Sequence, residues 1–352
     1  MRAILAVPAI LCLFSCASPG SDAPATSDER FLDSRRRSEI PVEQIQRGDA
    51  KASPALDHAP LVRARMATHM TPDEPVFGVE INGDARAYPL RILDRHAVAN
   101  DKVGGVPVSL TWCARCGAGI LYRTDTARGE LTFASSGLFY ESNDLLVDRQ
   151  TDTLWSQMSG EPVNGSLAGS GIKLQRLPVV VTSWKAWQGA HPDTRVLSLE
   201  TGHPIDYAQP KPPEDPLPVL RRSPLLPEKA WVYTLLVNGA PKAYPLDRLA
   251  KETVVNDELG GLPVVLVAEP RAEGQGRTVR AYERGDRTFR AGRVFMGSAF
   301  LTDQEGRTWR AGEEALTTPD GKSLPRLPGH LAYWFGWFSF YPQTQVYGEA
   351  QP

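Results

Sequence analysis

The sequence carries one module twice, and this repeat constrains the fold more than any other feature. Residues 81–110, INGDARAYPLRILDRHAVANDKVGGVPVSL, recur at 237–266 as VNGAPKAYPLDRLAKETVVNDELGGLPVVL, so that Tyr88 matches Tyr244 at an offset of 156. A later set recurs at an offset of 150: Arg176-Leu177-Pro178 with Arg326-Leu327-Pro328, Trp184 and Trp187 with Trp334 and Trp337, and Thr194 with Thr344. Repeated spacing over this length implies one supersecondary plan used twice. Residues held in both copies report the shared plan, and residues lost from one copy are candidates for chemistry. His96 becomes Glu252, Cys113 becomes Glu269 and Cys116 becomes Ala272, while the Ala-Tyr-Pro-Leu, Asn-Asp and Gly-Gly signatures persist.

Within the first copy, Val76–Ile81 reads as a strand, Asn82-Gly83 as a hairpin turn and Ala85–Tyr88 as the return strand. Pro89 can open a short helix over Leu90–Arg95. Val106–Trp112 is an apolar strand that delivers Cys113-x-x-Cys116, and Ile120–Arg123 and Leu131–Ala134 read as further strands. Asn100-Asp101 and Gly104-Gly105 read as turn chemistry. Thr182–Ala190 reads as a capped helix. Short strands, frequent Gly and Pro and few helical periods predict an α+β, mainly β fold: two tandem homologous β-rich modules, the second degenerate.

The N-terminus predicts export. Arg2 precedes an apolar run, Ala3–Phe14, that is too short to span a bilayer, and Leu13-Phe14-Ser15-Cys16 resembles a lipobox. The expected organisation is a lipoprotein signal peptide at 1–15, a tether at 16–37, an N-terminal module at 38–203, a Pro-rich strap at 204–229 and a C-terminal module at 230–352. Lipidation at Cys16 would attach the protein to a membrane. Ala17 after it favours the periplasmic face of the outer membrane in a Gram-negative cell. A net charge of −2 and the lack of a basic run argue against nucleic-acid binding. Cys12 would leave with the signal and Cys16 would take the lipid, so Cys113 and Cys116 would be the free thiols of the mature protein.

Cys113, Cys116 and His96 vanish together from the second copy, which predicts one site. Two thiolates and an imidazole suit copper(I), or zinc or iron with an open position. The leading expectation is therefore a metal ion, copper favoured, in a metalloenzyme or metal-handling protein served by a small-molecule substrate or a metal donor. Metal-free thiol chemistry, as a dithiol–disulfide couple or a Cys113 nucleophile activated by His96, is the alternative. A structural or partner-binding lipoprotein is the third. Tyr140, Glu141, Asn143, Arg149 and Gln157 lack counterparts in the second copy and are candidate supporting or substrate-contacting residues, whereas Gly137, Asp148 and Trp155 are matched by Gly292, Asp303 and Trp309 and read as structural. His191 and His203 are remote candidates.

Ala87-Tyr88-Pro89-Leu90, His96 with Asn100-Asp101, Cys113-x-x-Cys116-Gly117, Ser136-Gly137 and Asp148-Arg149-x-Thr151-x-x-x-Trp155-Ser156-Gln157 together resemble the bacterial domain-of-unknown-function family 3179. The resemblance extends from about Ile40 to Val346. It implies secreted or lipid-anchored bacterial proteins and supplies no reaction. Ala114-Arg115 stands where the family often has Pro-Leu between the cysteines, a departure confined to the local turn.

Overall fold

The computed structural model describes residues 29–33, 35–48, 53–58, 60–209, 219, 221–270 and 277–349. The signal segment, Cys16, most of the tether, strap residues 210–218 and Ala272 lie outside the described residues. Among the described residues the chain is mainly β, with four short α-helices, and no helix is long and apolar enough to cross a membrane.

Apart from a short opening strand in the first, the two halves follow the same order of the main elements. The first contains β1 (Gln46–Arg47), β2 (Pro75–Ile81), β3 (Asp84–Pro89), α1 (Leu90–His96), β4 (Val98–Val103), β5 (Val106–Cys113), β6 (Ala118–Arg123), β7 (Phe133–Tyr140) and β8 (Asn143–Asp148), and closes with α2 (Trp184–Ala190). The second contains β9 (Trp231–Val237), β10 (Ala240–Pro245), α3 (Leu246–Leu249), β11 (Val254–Leu259), β12 (Leu262–Pro270), β13 (Arg277–Glu283), β14 (Phe289–Phe295) and β15 (Ser298–Asp303), and closes with α4 (Trp334–Phe340). Registers match as well: Val76 pairs with Pro89 across β2–β3, and Val232 with Pro245 across β9–β10.

The persistent signatures form the same networks in both halves. Tyr88 donates to Asp101 at 2.7 Å, and Arg86 grips the same carboxylate; Tyr244 donates to Asp257 at 2.9 Å, with Lys242 2.7 Å away. Asn100 bonds both backbone groups of Phe133, tying one sheet to the next, and Asn256 does the same to Phe289, joining the two end strands of one sheet. Asn100 and Asp101 lie within strand β4 and not in a turn, because their backbones pair with Ser109 and Val108 of β5 while their side chains reach other strands. The turn is Gly104-Gly105 alone. Gly104 has φ +54° and a Cβ there would stand 2.0 Å from the Ile81 carbonyl oxygen; Gly260 repeats this against Val237.

Another boundary also differs. The strand expected at Leu131–Ala134 is Phe133–Tyr140, because the Ser135-Ser136-Gly137 break is absorbed as a bulge between Ser135 and Leu138, with Gly137 at φ +75°. The helix at Trp184–Ala190 has the expected polar cap, Ser183 accepting from the Ala186 amide at 3.3 Å.

One core spans both halves. Cys113, Cys116, Tyr122 and Trp155 share a buried cluster with Val232, Ala332, Trp334 and Trp337. Each closing helix lies against the opposite half: α4 against Cys116, and α2 against the β14–β15 turn, where a Cβ on Gly297 would come 2.1 Å from the Ala186 carbonyl oxygen.

Candidate functional site

Strand β5 ends at Cys113, which pairs with Ala118 at the start of β6. The intervening turn is closed by Gly117 at φ +63°. This hairpin places both thiols on the inner side of the turn, and both are free and fully buried. The Cys116 amide donates to Cys113 Sγ at 3.4 Å, and the Cys116 thiol lies 3.7 Å from the Cys113 carbonyl oxygen.

Asn143, the first residue of β8, donates through Nδ2 to Cys116 Sγ at 3.1 Å and to Gln157 Oε1 at 2.7 Å. Gln157 is fixed on every side. Its Nε2 donates to Thr111 Oγ1 at 3.0 Å and to the Ala118 carbonyl at 3.2 Å, and its own carbonyl accepts from Tyr122. Because Gln157 Oε1 can only accept, it sets which way the Asn143 amide faces. Asn143 Oδ1 is left buried without a hydrogen-bond partner.

The residues just before Asn143 are strained. Glu141 and Ser142 have φ of +49° and +63°, consecutive non-glycine positions in the left-handed region. Glu141 is buried, 3.3 Å from Arg221 of the strap, and its Oε2 has no partner. Burial raises its carboxyl pKa, against the pull of Arg221. Tyr140 meets Phe340 of α4 edge-on, ring centroids 6.3 Å apart.

His96 is turned to a different set of partners. Its Nδ1–H donates to the Pro54 carbonyl at 2.7 Å, which leaves Nε2 to accept from the Tyr207 hydroxyl at 2.5 Å. The His203 ring lies 5.1 Å away. Burial lowers the His96 pKa, opposed by the Pro54 hydrogen bond and aided by His203, so the ring is neutral with both nitrogens committed. Arg149 is elsewhere again, half exposed and paired with Asp57 at 2.6 Å. His191 stacks on Trp187. Of the candidates, Asn143 and Gln157 join the cysteines, Tyr140 and Glu141 sit at the adjacent hairpin end, and His96, Arg149, His191 and His203 bond elsewhere. Among the described residues, no three His, Cys, Asp or Glu side chains converge on one point.

Burial pushes the Cys113 thiol well above its ordinary value, and the Cys116 side chain and the Asp144 carboxylate push the same way, against the Cys116 amide. A thiol so placed is protonated at neutral pH. That does not match a nucleophile activated by a depressed pKa.

Thr111, Tyr122 and α4 complete the site and were not singled out from the sequence. A threonine within the apolar run Val106–Trp112 and a glycine within the aromatic run Trp334–Phe340 are the signals that mark them. Tyr333 donates its amide to the Cys116 carbonyl at 2.7 Å, and a Cβ on Gly336 would lie 2.7 Å from Cys116 Cβ. Replacing Gly336 by valine is expected to lift α4 from the turn, at about 1–3 kcal/mol. Cys116 should then react with a thiol reagent in native protein, while wild type reacts only after unfolding; equal protection in both would contradict this contact. Beside the turn, a cleft of ≈ 200 Å³ is lined by Phe77, Trp112, Gly117, Gly119, Trp231 and Leu331, among others.

The matching place in the second half holds charge. Glu269, opposite Cys113 in the repeat, pairs with Arg280 at 2.6 Å; Arg280 also grips Glu313 at 2.6 Å, and Glu313 meets Arg326. All four are buried.

The family model described as Protein of unknown function (DUF3179) matches residues 51–344. No curated protein and no solved structure matches the chain.

Proposed function

Since the chain belongs to the DUF3179 family, whose description assigns no reaction, we propose its function from the dithiol itself: Cys113 and Cys116 form a resident two-sulfur site for a soft metal ion, copper(I) first, in a lipid-anchored extracytoplasmic protein. The observation that carries this reading is the pair of free, fully buried thiols on one turn, with the Asn143 amide donating to Cys116 Sγ. Two thiolates suit a cation content with few ligands, and the Asn143 Nδ2 amide steadies Cys116 Sγ from the side. Zinc in a structural site takes four ligands, which the convergent side chains do not supply. The ligand set is narrower than the His96, Cys113 and Cys116 expected from the sequence.

Here Gln157 orients Asn143, Asn143 holds Cys116, and α4 keeps water from both sulfurs. Copper bound there would supply one-electron chemistry. Full burial of the sulfurs favours a retained ion over one passed on from a shallow surface. Loading must displace the Cys113 proton, so affinity should rise as pH rises.

Anaerobic titration with copper(I) against a competing chromophoric chelator tests the proposal. Reduced wild type and His96→Ala should each hold about one copper per chain with similar affinity. If His96→Ala loses the metal, the ligand set is wrong. If reduced wild type takes up none and instead cycles between dithiol and disulfide, the thiol-redox reading replaces this one.

A further inference from the structure

We propose that the tip of the β14–β15 hairpin, Arg293–Met296, docks on an anionic phospholipid surface. Val294, Phe295 and Met296 are 60%, 59% and 62% exposed. Successive residues of a strand point to opposite faces, so the tip is bare on both.

The corresponding tip of the first half is wholly different. There Glu141, Ser142 and Asn143 are buried, and the outer edge of β7 pairs with β1, Gln46 opposite Phe139. In the second half β14 is the end strand of an eight-stranded sheet; Asn256 of β11 holds its first residue, Phe289, and no described strand pairs with its outer edge beyond that.

The charge around the tip fits anionic headgroups. Arg290 and Arg293 are exposed, and no acidic residue occurs from Arg290 to Thr302. The Arg293 guanidinium lies 5.9 Å from the Phe295 ring centroid and 5.3 Å from that of Phe300. Arginine lying along aromatic surface with its charge free is the arrangement of a side chain that reaches phosphate while its apolar neighbours enter the acyl boundary. The same arginines on a sheet edge oppose pairing with a strand of a second copy. The tip also has a firm seat, since Gly297 packs against the Ala186 carbonyl of α2.

The test places an environment-sensitive fluorescent amino acid at position 296 of the full chain and, separately, at position 320. Residue 320 lies in a turn at the opposite end of the same sheet. On vesicles of phosphatidylcholine with phosphatidylglycerol, the probe at 296 should shift to the blue and be quenched by nitroxide lipids, and the probe at 320 should do neither. Arg290→Glu with Arg293→Glu should abolish the shift, as should vesicles of phosphatidylcholine alone. A probe at 296 that stays in water on the anionic vesicles overturns the proposal. So does a shift that appears without lipid and grows with protein concentration, which would make the tip a self-association surface.

Discussion

Replacing Cys113 and Cys116 together by serine is expected to abolish copper(I) retention while leaving the fold in place. A hydroxyl is neither soft nor readily deprotonated, so it cannot stand in for a thiolate. The two buried hydroxyls would cost about 1–3 kcal/mol each where no partner is found, but the Cys116 backbone and Asn143 offer partners to both. Copper per chain after desalting should drop to the level of a blank, with an unchanged circular dichroism spectrum. The single variants should differ. Cys116→Ser also removes the acceptor of the Asn143 amide, whereas Cys113→Ser leaves that bond intact. Full copper retention by the double variant would place the metal elsewhere.

The largest effect on stability is expected at Glu313. Its side chain is 4% exposed and accepts from both Arg280 and Arg326. Glu313→Ala would leave two buried guanidinium groups with only Glu269 between them. Breaking such a buried network typically costs about 3–5 kcal/mol, which urea or thermal unfolding would show as a large loss in midpoint. The pH dependence follows from the same network. Burial alone raises the Glu313 carboxyl, but Arg280 and Arg326 outweigh it and hold the pKa down to about 2, against an ordinary 4.5. A carboxylate with a depressed folded pKa contributes stability that is fully present above its ordinary value and is lost as pH falls through the folded value. Wild-type stability should thus decline steeply between about pH 4.5 and 2, and Glu313→Ala should flatten that slope. A variant that unfolds like wild type across this range would show that the network does not bind the second half together.

These two sites occupy corresponding places in the two halves, and they explain what the sequence could and could not convey. The persistent residues were legible because each has a local reason to persist: Tyr88 and Tyr244 need Asp101 and Asp257, and Gly104 and Gly260 have no room for a Cβ. The β-rich class followed from those turns and alternations. The cysteines and their neighbours Asn143 and Gln157 were legible by subtraction. His96 does not join them in the structure. It binds Pro54 and Tyr207, and no spacing rule connects residues 54, 96 and 207. The change from Cys113 to Glu269 was equally deceptive. Thr111 pairs with Ile120 in the first half where Val267 pairs with Arg280 in the second, so glutamate is tolerated only with an arginine beside it. Cys113→Glu in the first half would bury a carboxylate opposite Ala118 and should fail to fold unless Ile120→Arg, at the place of Arg280, is added. Nor could periodicity show that α4 crosses to cover the opposite half. That placement comes from packing between segments more than two hundred residues apart, with Gly336 as its one local trace.

The most direct test of the dithiol as a metal site is elemental analysis, with copper-edge X-ray absorption, on protein purified anaerobically from the compartment where it matures. The account predicts about one copper per chain, in a low-coordinate environment dominated by sulfur with no imidazole scattering. Protein that carries no stoichiometric metal and has both thiols free, or copper bound through imidazole, would contradict it.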